Sequence, residues 1–90
     1  QIVGFGKACQ IAQRVMTAES LRITKLKKQF WSKIAAIPGV HLNGDSETCL
    51  PGVVNVSFDQ VEGEALLVGL HKLAVSSGAA CNSATIEPSY

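Results

Sequence analysis

The chain has 90 residues and a formal net charge of +1, a length that allows one domain with a small core. Hydrophobic residues make up 47 % and charged residues 17 %, which excludes a disordered charged tail. Eight Lys+Arg against seven Asp+Glu create no global field to draw nucleic acid or an anionic membrane, and no apolar run approaches the ~20 residues that span a bilayer.

Residues 2–37 carry an apolar stripe: Ile2, Phe5, Cys9, Ala12, Met16, then Ile23, Leu26, Phe30, Ile34 and Ile37. Steps of three and four predict a helix. Pro38-Gly39 stops it. Gly4 and Gly6 leave its start open between Ile2 and Lys7. Glu19 and Ser20 interrupt the stripe, so a break over 17–20 is a second alternative. Cys9 reads as a core residue. The opposite face holds Arg14, Arg22, Lys25, Lys27, Lys28 and Lys33, and a solvated surface accounts for them. A continuous helix over 2–37 would be about 50 Å long, whereas a compact domain of this size is about 30 Å across. One end must overhang, bend or meet something beyond the chain. With Gln1 at one end and Glu87-Pro88-Ser89-Tyr90 at the other, the expectation is a piece of a longer protein.

Val40-His41-Leu42 is a short strand candidate. Asn43-Gly44-Asp45 opens a loop and Pro51-Gly52 closes it. Val53 to Phe58 alternates, with Val54, Val56 and Phe58 on one face and Asn55 and Ser57 on the other, as a half-buried strand does. Glu62 to Leu73 reads as a second helix, with Leu66, Leu67, Leu70 and Leu73 inward and acidic residues at its N-terminal end. Ala74-Val75-Ser76 is a last strand candidate. The fold class is then α+β: a long N-terminal helix and a shorter one packed on a small sheet. His41 and His71 fall on polar faces.

Residues 76–85 read Ser-Ser-Gly-Ala-Ala-Cys-Asn-Ser-Ala-Thr. None is charged and none is large enough to anchor a core. Such a segment is expected to be mobile, with an r.m.s. span of roughly 17 Å, and Cys81 sits in its middle. Composition alone leaves two readings, an ordinary linker and a nucleophilic thiol carried between two places. No Lys, Arg or His lies in the loop to lower the thiol pKa. The three cysteines, Cys9, Cys49 and Cys81, form no disulfide framework. No pair among them and the histidines has a short metal-ligand spacing, so no metal site is expected.

The string Ala74 to Tyr90, AVSSGAACNSATIEPSY, resembles the active-site loop of cysteine desulfurases of the IscS/NifS group. Asn43-Gly44-Asp45, Pro51-Gly52, Asn55-Val56-Ser57-Phe58, Val61-Glu62-Gly63-Glu64 and Gln1 to Gly6 follow that family's order. Ala79, Asn82, Thr85 and Ile86 depart from it mildly. The resemblance covers essentially the whole chain. It implies part of the C-terminal small domain of a fold type I enzyme dependent on pyridoxal phosphate. Residues 1–37 would be the helix leading to a missing large domain, and 76–85 the active-site loop.

The resemblance implies a chemistry as well. The cofactor ring serves as an electron sink. Cys81 takes the sulfur of L-cysteine as a persulfide, and L-alanine leaves. Ser76, Ser77, Gly78, Ala79, Ala80, Asn82 and Ser83 make up the loop around it. Sulfur then passes to an acceptor protein, such as an iron–sulfur scaffold or a sulfur relay. The parent would be a homodimer of the bacterial cytosol or mitochondrial matrix, with no direct nucleic-acid or membrane partner. The family's Schiff-base lysine, substrate-binding arginine and phosphate-holding residues have no counterpart in this chain. The 90 residues alone are therefore expected to bind no pyridoxal phosphate and to turn over no cysteine. The alternative is an isolated thiol-bearing module that accepts or passes on sulfur without cofactor chemistry.

Overall fold

The computed structural model describes residues 1–77. Its elements in order are α1 (Ile2–Ile34), β1 (Val40–Leu42), β2 (Val56–Phe58) and α2 (Gly63–Gly69). The two strands form one antiparallel sheet, so the architecture is α+β. The residues gather into two compact units, Gln1–Ser57 and a second that begins at Phe58.

In the first unit α1 runs unbroken for 33 residues, about 50 Å at 1.5 Å per residue. The break considered at 17–20 is absent. Glu19 and Arg22 form an ion pair one turn apart there, which supports the helix on its surface. The start is the earlier of the two alternatives. Phe5 N–H donates to Gln1 O at 2.9 Å, and the helix continues through Gly4 and Gly6. At the other end the Ala35 amide donates to Trp31 O at 2.8 Å and Ile37 N–H to Ile34 O at 3.0 Å. Pro38 follows, with no N–H to continue the ladder, and Gly39 takes a left-handed turn at φ 79°.

Ser20, Ile23, Thr24, Lys27, Trp31 and Ile34 are the half-buried positions of α1, and their spacing puts them on one face. The expected core stripe is otherwise open. Ile2 is 89 %, Phe5 74 % and Met16 62 % exposed. Cys9, expected in a core, is exposed. The reason is positional. Pro51 and Gly52 form an open groove of about 290 Å³ with α1 that reaches from Ala12 to Ile23, and Ile2, Phe5 and Cys9 lie before it. No described residue is fully buried.

The alternation holds within the two strands, but Val54, expected on the half-buried face, lies before the second strand and is exposed. Val40, Leu42, Val56 and Phe58 are half-buried, and His41 and Ser57 are exposed. One residue past each strand, Asn43 N–H donates to Asn55 O at 2.9 Å. On the polar face the Asn43 amide donates to Asn55 Oδ1 at 2.9 Å and Ser57 Oγ at 2.7 Å. The second strand is shorter than the alternation over 53–58 predicts. Its partner has only three residues, and the turn that joins Val53 N–H to Leu50 O at 3.3 Å ends just before it. Gly44 sits at φ 88°, a conformation that disfavours a side chain.

In the second unit α2 is shorter than expected, seven residues instead of the predicted 62–73. Glu62 caps the helix from outside it. Its carboxylate accepts the Glu64 amide at 3.0 Å and the Ala65 amide at 2.7 Å. Leu66, Leu67 and Leu70 are half-buried as predicted. Leu73 is 60 % exposed, because the chain leaves the helix at Leu70 and the next three-residue step no longer returns to the same face. Ala74-Val75-Ser76 forms no strand. Neither described strand pairs with it.

Candidate functional site

The approach to the cysteine loop is built by α2. With Glu62 holding its first amides, the helix runs to Gly69, and Leu70 N–H closes on Leu66 O at 3.0 Å. A turn follows, Leu73 N–H to Leu70 O at 2.8 Å. Ala74 to Ser77 then carry no regular structure, and Ser76 and Ser77 are exposed. Gly78, Ala79, Ala80, Cys81, Asn82 and Ser83 lie outside the described residues. The two described loop serines are thus delivered to solvent at the end of a capped helix.

Electrostatics at the described carboxylates is local. The Glu64 and Ala65 amides hold the Glu62 carboxyl below its ordinary value. Asp45 is lowered in the same way, by the Glu47 amide at 2.9 Å and the Thr48 hydroxyl at 3.0 Å. These bonds favour the charged form. Among the described residues no three of His, Cys, Asp and Glu gather as a metal site would require. No described helix is long and apolar enough to cross a membrane. Arg22, Lys25, Lys28 and Lys33 are exposed along α1, as a solvated face requires.

One contact was not visible in the residue pattern. Lys27, expected as a solvated charge, is half-buried. Its Nζ lies 2.6 Å from Cys49 Sγ and 3.4 Å from Leu50 O. The two side chains are 22 residues apart in sequence. No spacing rule connects residues that only the loop after β1 brings together.

The chain is similar along its whole length to named proteins. It is 53 % identical over 90 residues to the cysteine desulfurase IscS of Pectobacterium atrosepticum. Identity is 52 % to that of Aeromonas hydrophila and 51 % to that of Shewanella frigidimarina. In each case all of this chain is matched, and it spans 22 % of the relative's length. Residues 1–89 match the aminotransferase class-V family. That match takes in α1, the strand pair, α2 and the cysteine segment together, and on it the chain belongs to the aminotransferase class-V family.

Proposed function

We propose that the chain is part of the C-terminal small domain of a cysteine desulfurase and that Cys81 is its sulfur-accepting nucleophile. The observation that carries this reading is the 53 % identity, over all 90 residues, to a protein named cysteine desulfurase. In net terms L-cysteine and the Cys81 thiol give L-alanine and a Cys81 persulfide. The persulfide then passes its outer sulfur to an acceptor protein for iron–sulfur cluster or thio-cofactor assembly. A thiolate is the attacking form. Cys81 is four positions after Ser77 in the sequence, so a fully extended chain could carry it at most about 14 Å from that exposed serine. We place the parent, a homodimer, in the bacterial cytosol or the mitochondrial matrix.

The family depends on pyridoxal phosphate. The described residues do not fit that group. Lys7, Lys25, Lys28 and Lys33 on α1 and Lys72 in the turn after α2 are exposed, and an ammonium on an open surface has no walls to hold an aromatic ring. The half-buried Lys27 is engaged by Cys49 and Leu50. No step of the chemistry runs through these lysines.

The test uses the full-length protein. Given L-cysteine, it should form alanine and a persulfide that maps to Cys81, and Cys81→Ser should remove the persulfide. Alanine formed with the persulfide on another residue would overturn the assignment. The alternative reading is that the isolated 90 residues serve as a sulfur-accepting module. An intact desulfurase supplied in catalytic amount with L-cysteine would then load Cys81 of the isolated chain. An unloaded Cys81 would exclude that reading.

A further inference from the structure

We propose that Lys27 and Cys49 form a redox cross-link in which one oxygen atom bridges the lysine nitrogen and the cysteine sulfur. The bridge would tie α1 to the loop after β1, and it is independent of the desulfurase reading. The observation behind it is a separation. Lys27 Nζ stands 2.6 Å from Cys49 Sγ. An N–H···O hydrogen bond already spans about 2.9 Å. Sulfur is larger than oxygen and a weak acceptor, so an N–H···S contact should be longer still. The two atoms are closer than a hydrogen bond would set them. Two atoms bonded to one shared oxygen come this close.

The surroundings suit the chemistry. Cys49 is exposed, so a small oxidant reaches it. The Lys27 stem is half-buried, which limits where its amine can go, and Leu50 O lies 3.4 Å from Nζ on the same loop. The Cys49 thiol donates only a long, weak bond to Ser46 O, at 3.9 Å. Cys9, exposed near the start of α1, is a built-in control thiol.

The co-reactant is dioxygen. Neutral Lys27 amine, Cys49 thiol and O₂ give the N–O–S bridge and one water. An N–O and an O–S bond form. One N–H bond, the S–H bond and the O–O bond break, and the two released hydrogens leave with the second oxygen as water. Nitrogen and sulfur are each oxidised by two electrons, and dioxygen is reduced by four. An added dithiol opens the bridge by attack on sulfur, breaking the O–S bond and releasing Cys49.

The test compares the full-length protein held under air with the same protein reduced without oxygen. Proteolysis and mass spectrometry of the aerobic sample should reveal Lys27 and Cys49 peptides joined, heavier than their sum by one oxygen less two hydrogens. Alkylation of Cys49 should fall several-fold under air while that of Cys9 changes little, and dithiothreitol should restore it. Lys27→Arg keeps a cation beside the thiol, yet its guanidinium cannot make the bridge, so Cys49 should stay open to alkylation under air. Full alkylation of Cys49 in aerobic wild-type protein would overturn the proposal. So would a joined peptide pair lacking the oxygen, or a Cys49 sulfinic acid with Lys27 unmodified.

Discussion

The Glu62 carboxylate accepts the Ala65 amide at 2.7 Å and so caps α2 from just outside its first turn. The charged carboxylate is the stronger acceptor, and the Glu64 and Ala65 amides together hold the Glu62 carboxyl below the ordinary value of 4.5. A carboxyl with a lowered folded-state value contributes stability that is fully present above its unfolded value. That contribution is lost as pH falls through the lowered one. The Ala65 amide should therefore exchange faster, relative to Leu70 N–H, as pH drops below 4.5. Glu62→Gln should flatten this dependence. An Ala65 to Leu70 exchange ratio that is constant across the acid range would contradict the cap.

Gly4 and Gly6 lie within α1, and a methyl group added at either meets nothing within 4 Å. Glycine in a helix interior costs roughly 0.5–1 kcal/mol relative to alanine. Gly6→Ala should raise helicity at the start of α1 and add up to about 1 kcal/mol of stability. Circular dichroism and a denaturant titration of the full-length protein read both effects. A loss of stability would mean that Gly6 has a neighbour in the full-length protein, where a side chain cannot fit.

Gln60 is the one described non-glycine residue with a positive φ, at 60°. It occupies the turn between β2 and α2. The left-handed conformation costs an ordinary residue roughly 1–2 kcal/mol. Gln60→Gly should relieve about 1 kcal/mol, part of which the greater freedom of the unfolded chain takes back. Gln60→Val should be clearly worse than wild type, because a β-branched side chain tolerates this region poorly. Thermal unfolding of the three proteins under one condition gives the order directly.

These effects also mark what the sequence could and could not reveal. Helical spacing and Pro38-Gly39 were enough to find α1, because both act through local backbone physics. The polar pair Asn55 and Ser57 was placed on one face by strand alternation alone, and Asn43 joins them there. The strand expected at 74–76 and the inward Leu73 failed for another reason. Each depends on a pairing partner or a helix end that the segment's own residues do not encode. The Lys27–Cys49 contact was invisible for the same reason. For the loop, Cys81 stood out only through its neighbours' resemblance to a known motif, since Ser, Gly and Ala have no pattern that separates a carrier arm from a linker. The apolar stripe was read correctly as a stripe, but a stripe records what a face needs and not whether the same chain covers it.

That last point yields a prediction about the isolated chain. Ile2, Phe5 and Met16 are 89 %, 74 % and 62 % exposed, although all three sit on the apolar side of α1. Burying side chains of this kind is worth about 1.5–3 kcal/mol each, so leaving the face open forgoes several kcal/mol. A patch of this sort also attracts other apolar surfaces. The isolated 90-residue chain should therefore enhance the fluorescence of an apolar dye several-fold over a well-folded protein of its size, and should associate as its concentration rises. Phe5→Ser with Met16→Gln should reduce both signals without removing the Asn43–Asn55 pairing, which lies on a different element. Equal dye binding by the wild-type chain and the double variant would show that the stripe is covered in the isolated chain, and the source of its exposed apolar surface would then lie elsewhere than α1.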